Sequence, residues 1–436
     1  MTNGVNTRAL ALDMLLAINE EGQYSHLVLR QVLDKYQYLS KQERAFLTRL
    51  TEGTVERGLT LDYVIDAFSK TKVHKMKPVI RNVLRMGVYQ LLYMDGVPDS
   101  AVCNEAVKLV RKRGLSGLSG FVNGVLRNIA RQADAISWPK EEEHPVQALS
   151  VRYSVPEWIV REWLNSYGPA QTREMLAALG EESKLTIRTN TGKCTPEELR
   201  VSLEAQGVRV EPVGNIPYGF SLSGYDYLGS LDAFWKGWFY VQDLSSMQVA
   251  ITANPKPGDY IIDVCAAPGG KSTHMAELLQ GTGMVEARDL TEYKVGLIEE
   301  NIIKHGLTNM KAVQMDATVA DADSEGKADV LVCDLPCSGL GVMGRKTDIR
   351  YKMTEEKAKE LSVLQRRILD TVHTYVKPGG TLVYSTCTVR KSENEENVSW
   401  FVQKYPAFSV ESMQQMFPRD GHDGFFLARL VREPGR

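Results

Sequence analysis

The sequence predicts a multidomain chain: an all-α bundle in front, a small α+β module behind it, then an α/β domain on a mostly parallel sheet. Three observations lead there. Apolar residues recur at helical spacing up to about residue 135, helical and alternating stretches mix between 157 and 222, and from Tyr260 onward short apolar runs rich in β-formers alternate with helical ones. The 436 residues, 43% of them apolar, suffice for two or three domains with cores of their own.

In the front part, residues 1–140, Leu10, Met14 and Ala17 share one helical face, as do Phe46, Leu50 and Val55, and then Val79, Val83 and Met86. Residues 97–100, Val-Pro-Asp-Ser, end one helix and start the next, and residues 121–127 begin another. Charge is uneven along the chain. The net charge is −2, yet residues 1–140 hold 20 Lys and Arg against 13 Asp and Glu, a surplus of +7, which leaves −9 for the remainder. Lys70, Lys72, Lys75 and Lys77 form one basic cluster, and Lys108, Arg111, Lys112 and Arg113 another. Either suits a phosphate backbone, and either equally suits a solvated helical face.

Acidic residues 141–143 between Pro139 and Pro145 read as a linker. The module that follows, residues 141–228, has helical patterns at 157–167 and 171–179, a strand at 185–189, a helix start at 195–198 and strands at 208–213 and 219–222. Trp235, Trp238, Phe239 and Tyr240 could stack on bases, although so dense an aromatic cluster is more often core. Residues 242–246 then open a helix.

The last part, residues 229–436, is organised around 260–271. Tyr260, Ile261, Ile262 and Val264 make a short strand of the kind buried in parallel sheets, and it runs straight into Cys265-Ala266-Ala267-Pro268-Gly269-Gly270-Lys271. Small residues, a fixed φ at Pro268 and two glycines let the backbone turn closely around a ligand. The helix expected from Ser272 points its free N–H groups the same way. This is no Walker loop, because Cys265 stands where the first glycine should be.

Later strands add polar or sulfur groups at the same end. A second ends at Asp289, at the interval where such folds place an acid on a ribose diol. The third ends in Asp316, able to accept from a base's exocyclic amine. The fourth ends in Asp334-Leu335-Pro336-Cys337, and the fifth, after an expected helix stop at 377–380, ends in Ser385-Thr386-Cys387. Open α/β sheets bind ligands at the carboxyl ends of their strands.

Taken in order, Cys-Ala-Ala-Pro-Gly-Gly-Lys, Asp-Leu-Pro-Cys-Ser-Gly and Ser-Thr-Cys-Thr resemble the S-adenosylmethionine-dependent RNA cytosine-5 methyltransferases of the NOL/NOP2/Sun family. The front part resembles the RNA-binding antitermination factor NusB, through residues 104–107 and 123–127. The resemblance implies a Rossmann-like catalytic domain, S-adenosylmethionine as cofactor, and a small-subunit ribosomal RNA substrate met before assembly is complete. It implies Cys387 as nucleophile and Cys337 as the group that assists release. Asp334 would bond the base and Lys271 would hold that carboxylate. Residues 265–271, Asp289, Asp316 and Asp334 would line the cofactor. Lys294 stands where Arg is common in the family, Leu335 where Ala or Pro is usual, and Thr347 where Pro usually precedes Asp348.

The chemistry asks for such a pair. Carbon 5 of cytosine becomes nucleophilic only after a thiolate adds at carbon 6, and the adduct must later be released. Two other readings stand beside this one. A DNA cytosine-5 methyltransferase would use the cysteine of a Pro-Cys motif, here Cys337. A non-catalytic NusB-like RNA-binding factor would use neither cysteine. No run of eighteen apolar residues occurs and the cysteines form no secreted framework, so a cytoplasmic protein without a membrane partner is expected. Cys333-x-x-x-Cys337 has no second ligand pair, so no metal is expected, and a monomer is the expected state.

Overall fold

The computed structural model describes residues 5–181 and 185–435. Two compact units result, one from Met1–Gly180 with Arg345–Met353, the other from Glu181–Gly344 with Thr354–Arg436.

The first unit is helical. Helices Thr7–Asn19, Lys41–Glu56, Gly58–Phe68, Pro78–Tyr93, Asp99–Lys112 and Ser119–Arg131 share one apolar core that includes Leu12, Leu15, Leu47, Leu61, Val83, Leu84 and Leu126. Their ends follow local chemistry. The Ser40 hydroxyl accepts from the Glu43 N–H at 3.2 Å while the Glu43 carboxylate accepts from the Ser40 N–H at 2.9 Å. Pro78 opens Pro78–Tyr93, where no donor is required. The helical patterns at 157–167 and 171–179 join as Glu157–Ala178, bent at Gly168 because Pro169 cannot continue the hydrogen-bond ladder.

Arg345–Met353 belongs to this unit although the residues on both sides of it do not. It carries the short helix Ile349–Lys352. Asp348 accepts from the Ser25 hydroxyl at 2.7 Å and from Lys352 Nζ at 2.6 Å. The Tyr351 hydroxyl donates to the Glu56 carbonyl at 2.7 Å and lies 2.8 Å from Ser154 Oγ. Arg350 is buried, with Nη1 reaching the Tyr153 carbonyl at 3.3 Å. The sequence alone reads 341–351 as a loop.

The second unit holds two sheets. Strands β1 (Leu185–Thr189), β2 (Arg209–Pro212), β3 (Gly219–Ser223) and β4 (Phe239–Val241) pair antiparallel in the order β2-β3-β1-β4. Helix Pro196–Glu204 opens with a Thr195/Glu198 capping box, as residues 195–198 suggest. The larger sheet contains β5 (Tyr260–Asp263), β6 (Met284–Asp289), β7 (Met310–Gln314), β8 (Ala328–Asp334), β9 (Val376–Thr386), β10 (Phe408–Met416) and β11 (Phe425–Arg432), ordered β10-β11-β9-β8-β5-β6-β7. The five from β5 to β9 are parallel, and β11 and β10 close one edge antiparallel. Apolar clusters lie on both faces, which is why the parallel strands read as continuous apolar runs.

The expected helix stop at 377–380 is corrected. Helix Glu355–Val372 ends earlier, and β9 already starts at Val376. Pairing with β8 jumps from Ala328↔Val376 to Val330↔Thr381, so 377–380 bulge out of the strand. Pro378 lacks a donor there. Of the aromatic run, Phe239 and Tyr240 are core, whereas Trp235 is 73% exposed. The small sheet is fastened to the larger one through Arg188. Its guanidinium is fully buried, pairs with Glu277 of helix Gly270–Leu278 and lies 4.1 Å over the Tyr240 ring.

Candidate active site

β5 enters its turn through Asp263, which is fully buried and accepts from the Ser272 hydroxyl at 2.5 Å. Burial pushes its pKa up to about 7, against the pull of that hydrogen bond. Gly269 takes φ +102°, a left-handed conformation, and helix Gly270–Leu278 begins at the next residue, two earlier than expected. The Ala267 N–H donates to Asp289 Oδ2 at 3.0 Å, so the acid at the end of β6 already orders the glycine turn. Asp289 Oδ1 accepts from Lys294 Nζ at 2.9 Å. Asp316 lies just past β7 and accepts from the Thr318 N–H and hydroxyl at 2.8 and 2.7 Å, which lowers its pKa.

At the centre, Lys271 Nζ is 2.6 Å from Asp334 Oδ2, and the Ser385 hydroxyl donates to Asp334 Oδ1 at 2.7 Å. Three elements, the helix after the glycine turn, the end of β8 and the end of β9, thus meet at one carboxylate. Burial alone would lower the Lys271 pKa, but Asp334, then Cys387 and Asp263, more than offset it and the pKa is raised. Beyond Asp334, Cys337 Sγ and Cys387 Sγ are 3.2 Å apart. The Cys337 thiol is held well above its ordinary pKa by its hydrogen bond with Cys387, by burial and by the Glu393 carboxylate.

A second ring of groups holds the two cysteine loops. The Ser338 N–H donates to Glu393 Oε2 at 2.8 Å, Ser338 Oγ is 2.8 Å from Thr388 Oγ1, and Gln365 Nε2 donates to the Pro336 carbonyl at 2.8 Å. The Gly341 N–H donates to the Cys387 carbonyl at 3.0 Å, and a Cβ on Gly341 would fall 2.0 Å from the Gly424 carbonyl oxygen. Sequence reasoning missed Glu393, Gln365 and Thr388. Gln365 had a signal, a polar side chain on the buried face of Glu355–Val372, and Thr388 stands in the Ser-Thr-Cys-Thr motif without a role assigned to it.

The other cysteines stay outside this cluster of thiols. Cys265 lies in the glycine turn, where burial, then the charges of Asp263, Asp289 and Asp334, push its pKa far up. Cys333 is buried inside β8, and Cys103 and Cys194 are buried elsewhere. Among the described residues no group of three or more His, Cys, Asp or Glu is arranged to hold a metal, and no helix is long and apolar enough to cross a membrane.

Residues 250–431 match the family described as 16S rRNA methyltransferase RsmB/F, residues 5–131 match the NusB family, and residues 155–225 match the RsmF/B-like ferredoxin-like domain. The chain is 37% identical to the probable ribosomal RNA small subunit methyltransferase B of Bacillus subtilis, over 98% of this chain and 99% of the relative. This chain belongs to the RsmB/F family. The corresponding Synechocystis protein is 34% identical over 98% of this chain and all of its own. Among solved structures, PH0851 superposes with a TM-score of 0.84 at 26% identity, covering 99% of this chain and 100% of that one. NSun6 from Pyrococcus horikoshii with SFG gives a TM-score of 0.58 at 25% identity, over 64% of this chain and 99% of that one.

The fold class read from the sequence therefore holds, with a helical NusB-like region, a ferredoxin-like module and a Rossmann-like methyltransferase sheet. The cofactor of this RsmB/F chain is S-adenosylmethionine. Its residues fit that group: a turn opened by a positive φ at Gly269, a buried acid at the end of β6, and an acid just past β7.

Proposed function

We propose that this chain methylates carbon 5 of a cytosine in small-subunit ribosomal RNA, through a covalent bond between Cys387 and carbon 6 of the ring. The observation that carries this reading is the thiol pair, 3.2 Å apart, with Lys271 interacting with Cys387 and Glu393 with Cys337. The Lys271 ammonium interacts with Cys387, and a cation beside a cysteine is the setting in which such residues act as nucleophiles. The hydrogen bond with Cys387, burial and the Glu393 carboxylate favour a neutral thiol at Cys337. The cation on the Cys387 side suits an attacking sulfur, and the neutral thiol beside it suits a proton-exchanging one, which supports nucleophile at Cys387 and release at Cys337.

Residues 265–271, Asp289, Asp316 and Asp334 would hold S-adenosylmethionine, which when bound supplies the methyl group as an electrophile. The protein's own part is to activate the base and let it go. Cys387 adds to carbon 6 and makes carbon 5 an enamine carbon. Asp334, oriented by Lys271 and Ser385, accepts from the exocyclic amine and steadies the ring while charge develops. Once a base takes the proton from carbon 5, the electron pair of that C–H bond restores the double bond between carbons 5 and 6, the bond from carbon 6 to sulfur breaks, and Cys387 leaves as a thiolate. Cys337 assists that last step.

The relatives named as ribosomal RNA small subunit methyltransferases support the substrate class. A paired cytosine cannot reach two thiols at the carboxyl ends of neighbouring strands, so the target is unpaired or flipped out, and is met before assembly closes it off. On this reading residues 1–140 bind RNA, 141–228 guide it and 229–436 catalyse, in a cytoplasmic monomer. The test is direct. Protein, S-adenosylmethionine and small-subunit ribosomal RNA lacking the modification are incubated, and nucleosides are identified by mass. 5-Methylcytidine is expected; a methyl group on any other atom overturns the assignment.

A further inference from the structure

We propose that Glu393 is the positioning residue for Cys337, holding the release thiol against Cys387 through the backbone of Ser338. The inference rests on the division of labour between the two cysteines proposed above and deepens it. Glu393 ends the short 3-10 turn Lys391–Glu393 beyond the Cys387 loop, and it is fully buried. A carboxylate is costly to bury without a task, and a neutral side chain of similar shape would suffice for packing. Its contacts converge on the loop that bears Cys337. Oε2 accepts the N–H of Ser338, the residue after Cys337, at 2.8 Å, and the Gln365 amide at 3.1 Å. The same amide nitrogen donates to the carbonyl of Pro336, the residue before Cys337, at 2.8 Å.

Cys337 is therefore clamped on both sides along the backbone while its side chain faces Cys387. The Ser338 hydroxyl adds a crosspiece, 2.8 Å from Thr388 Oγ1, and Thr388 follows Cys387. One small network thus sets the positions of both thiol-bearing loops relative to each other. Glu393 Oε1 makes no hydrogen bond in this arrangement and stands 3.6 Å from Arg390 Nη1. The carboxylate's charge also contributes, after the Cys387 hydrogen bond and burial, to keeping Cys337 a thiol.

The consequence is specific. Loss of Glu393 lets the Cys337 loop move, so attack by Cys387 continues while release slows. Glu393→Ala should lower kcat by about tenfold or more, as expected for one lost charge-assisted hydrogen bond, and lower KM for RNA with it, leaving kcat/KM nearly unchanged because the slowed step follows attack. It should accumulate RNA-bound protein on a denaturing gel, as is expected of Cys337→Ala. Glu393→Gln keeps an acceptor for the Ser338 N–H, and should restore turnover and abolish the accumulated band.

A merely structural Glu393 would lower the melting temperature and scale all activity down in both variants without trapping RNA; that result overturns the proposal. If Glu393→Ala does not fold, judged by lost S-adenosylmethionine binding in calorimetry, Thr388→Val removes the crosspiece instead, and normal release from that variant overturns it equally. Should Cys337→Ala itself leave no adduct, the release role of Cys337 is what fails. If Cys337→Ala traps RNA and neither Glu393→Ala nor Thr388→Val does, only the positioning role fails.

Discussion

The sulfur atoms of Cys337 and Cys387 lie 3.2 Å apart across a sequence separation of 50 residues. They sit beyond the ends of β8 and β9, adjacent parallel strands whose pairing sets Asp334 beside Ser385. In-register pairing brings the two cysteine loops together at the carboxyl end of the parallel strands.

Replacing each cysteine separates their roles. Cys387→Ala should abolish both methylation and any denaturant-resistant RNA adduct. Cys337→Ala should still attack, then stall with RNA attached and migrate slowly on a denaturing gel. An exchange of these outcomes would make Cys337 the nucleophile, as in the DNA methyltransferase reading.

Asp334 depends on two neighbours, so its variants should differ in degree. Asp334→Ala should cost about a hundredfold or more in kcat. Ser385→Ala removes one neutral donor and should cost about tenfold or less. Single-turnover rates check the order, and a larger loss from Ser385→Ala would contradict it.

Asp289→Ala removes a candidate ribose ligand and, with it, the acceptor for the Ala267 N–H. S-adenosylmethionine affinity should fall by about tenfold or more. Calorimetry showing an unchanged Kd would remove Asp289 from the cofactor site.

Buried Asp263 makes stability depend on pH. Its pKa in the folded state is about 7, against about 4 for an unfolded chain. The folded state thus favours the proton, and the contribution is complete below about pH 4 and lost as pH rises to about 7, by up to about 4 kcal/mol. Denaturant unfolding without cofactor should show this decline, and Asp263→Asn should flatten it. Parallel curves for the two proteins would mean the carboxyl does not titrate in that window.

The two basic clusters of the front unit should contribute unequally to RNA binding. Both clusters are exposed, but Lys108 pairs with Glu105 and Arg113 with Asp13, whereas Lys72 reaches a neutral acceptor, the Asp66 carbonyl, at 3.1 Å. Changing Lys70, Lys72, Lys75 and Lys77 to Glu should weaken RNA binding and flatten its salt dependence, as fewer counterions are released. An unchanged salt slope would leave this face a solvated one.

What the sequence revealed was whatever one strand and its following turn encode together. Asp289, Asp334 and Cys387 were legible because each ends an apolar run, and the glycine turn because small residues cluster there. Glu393 was not, since its partner Ser338 lies 55 residues away and no local pattern marks it. Strand β10 was missed for a different reason: as an edge strand it is mostly exposed and shows no alternation. Within 235–240, one aromatic-rich run, burial divides Tyr240 from Trp235 only after the chain has folded.

The strip Arg345–Met353 bears on how such a protein can be divided, in the laboratory or in evolution. A gene cut after residue 180 would give two fragments, neither of which contains all of its own structure. The rear fragment would carry Arg350, whose side chain is buried among residues of the front one, and Tyr351, whose hydroxyl would lose its acceptor at Glu56. The front fragment would lack the carboxylate that receives Ser25. Domain shuffling needs a boundary that the chain crosses once, and here it is crossed three times, so recombination at residue 180 would pass on two broken folds.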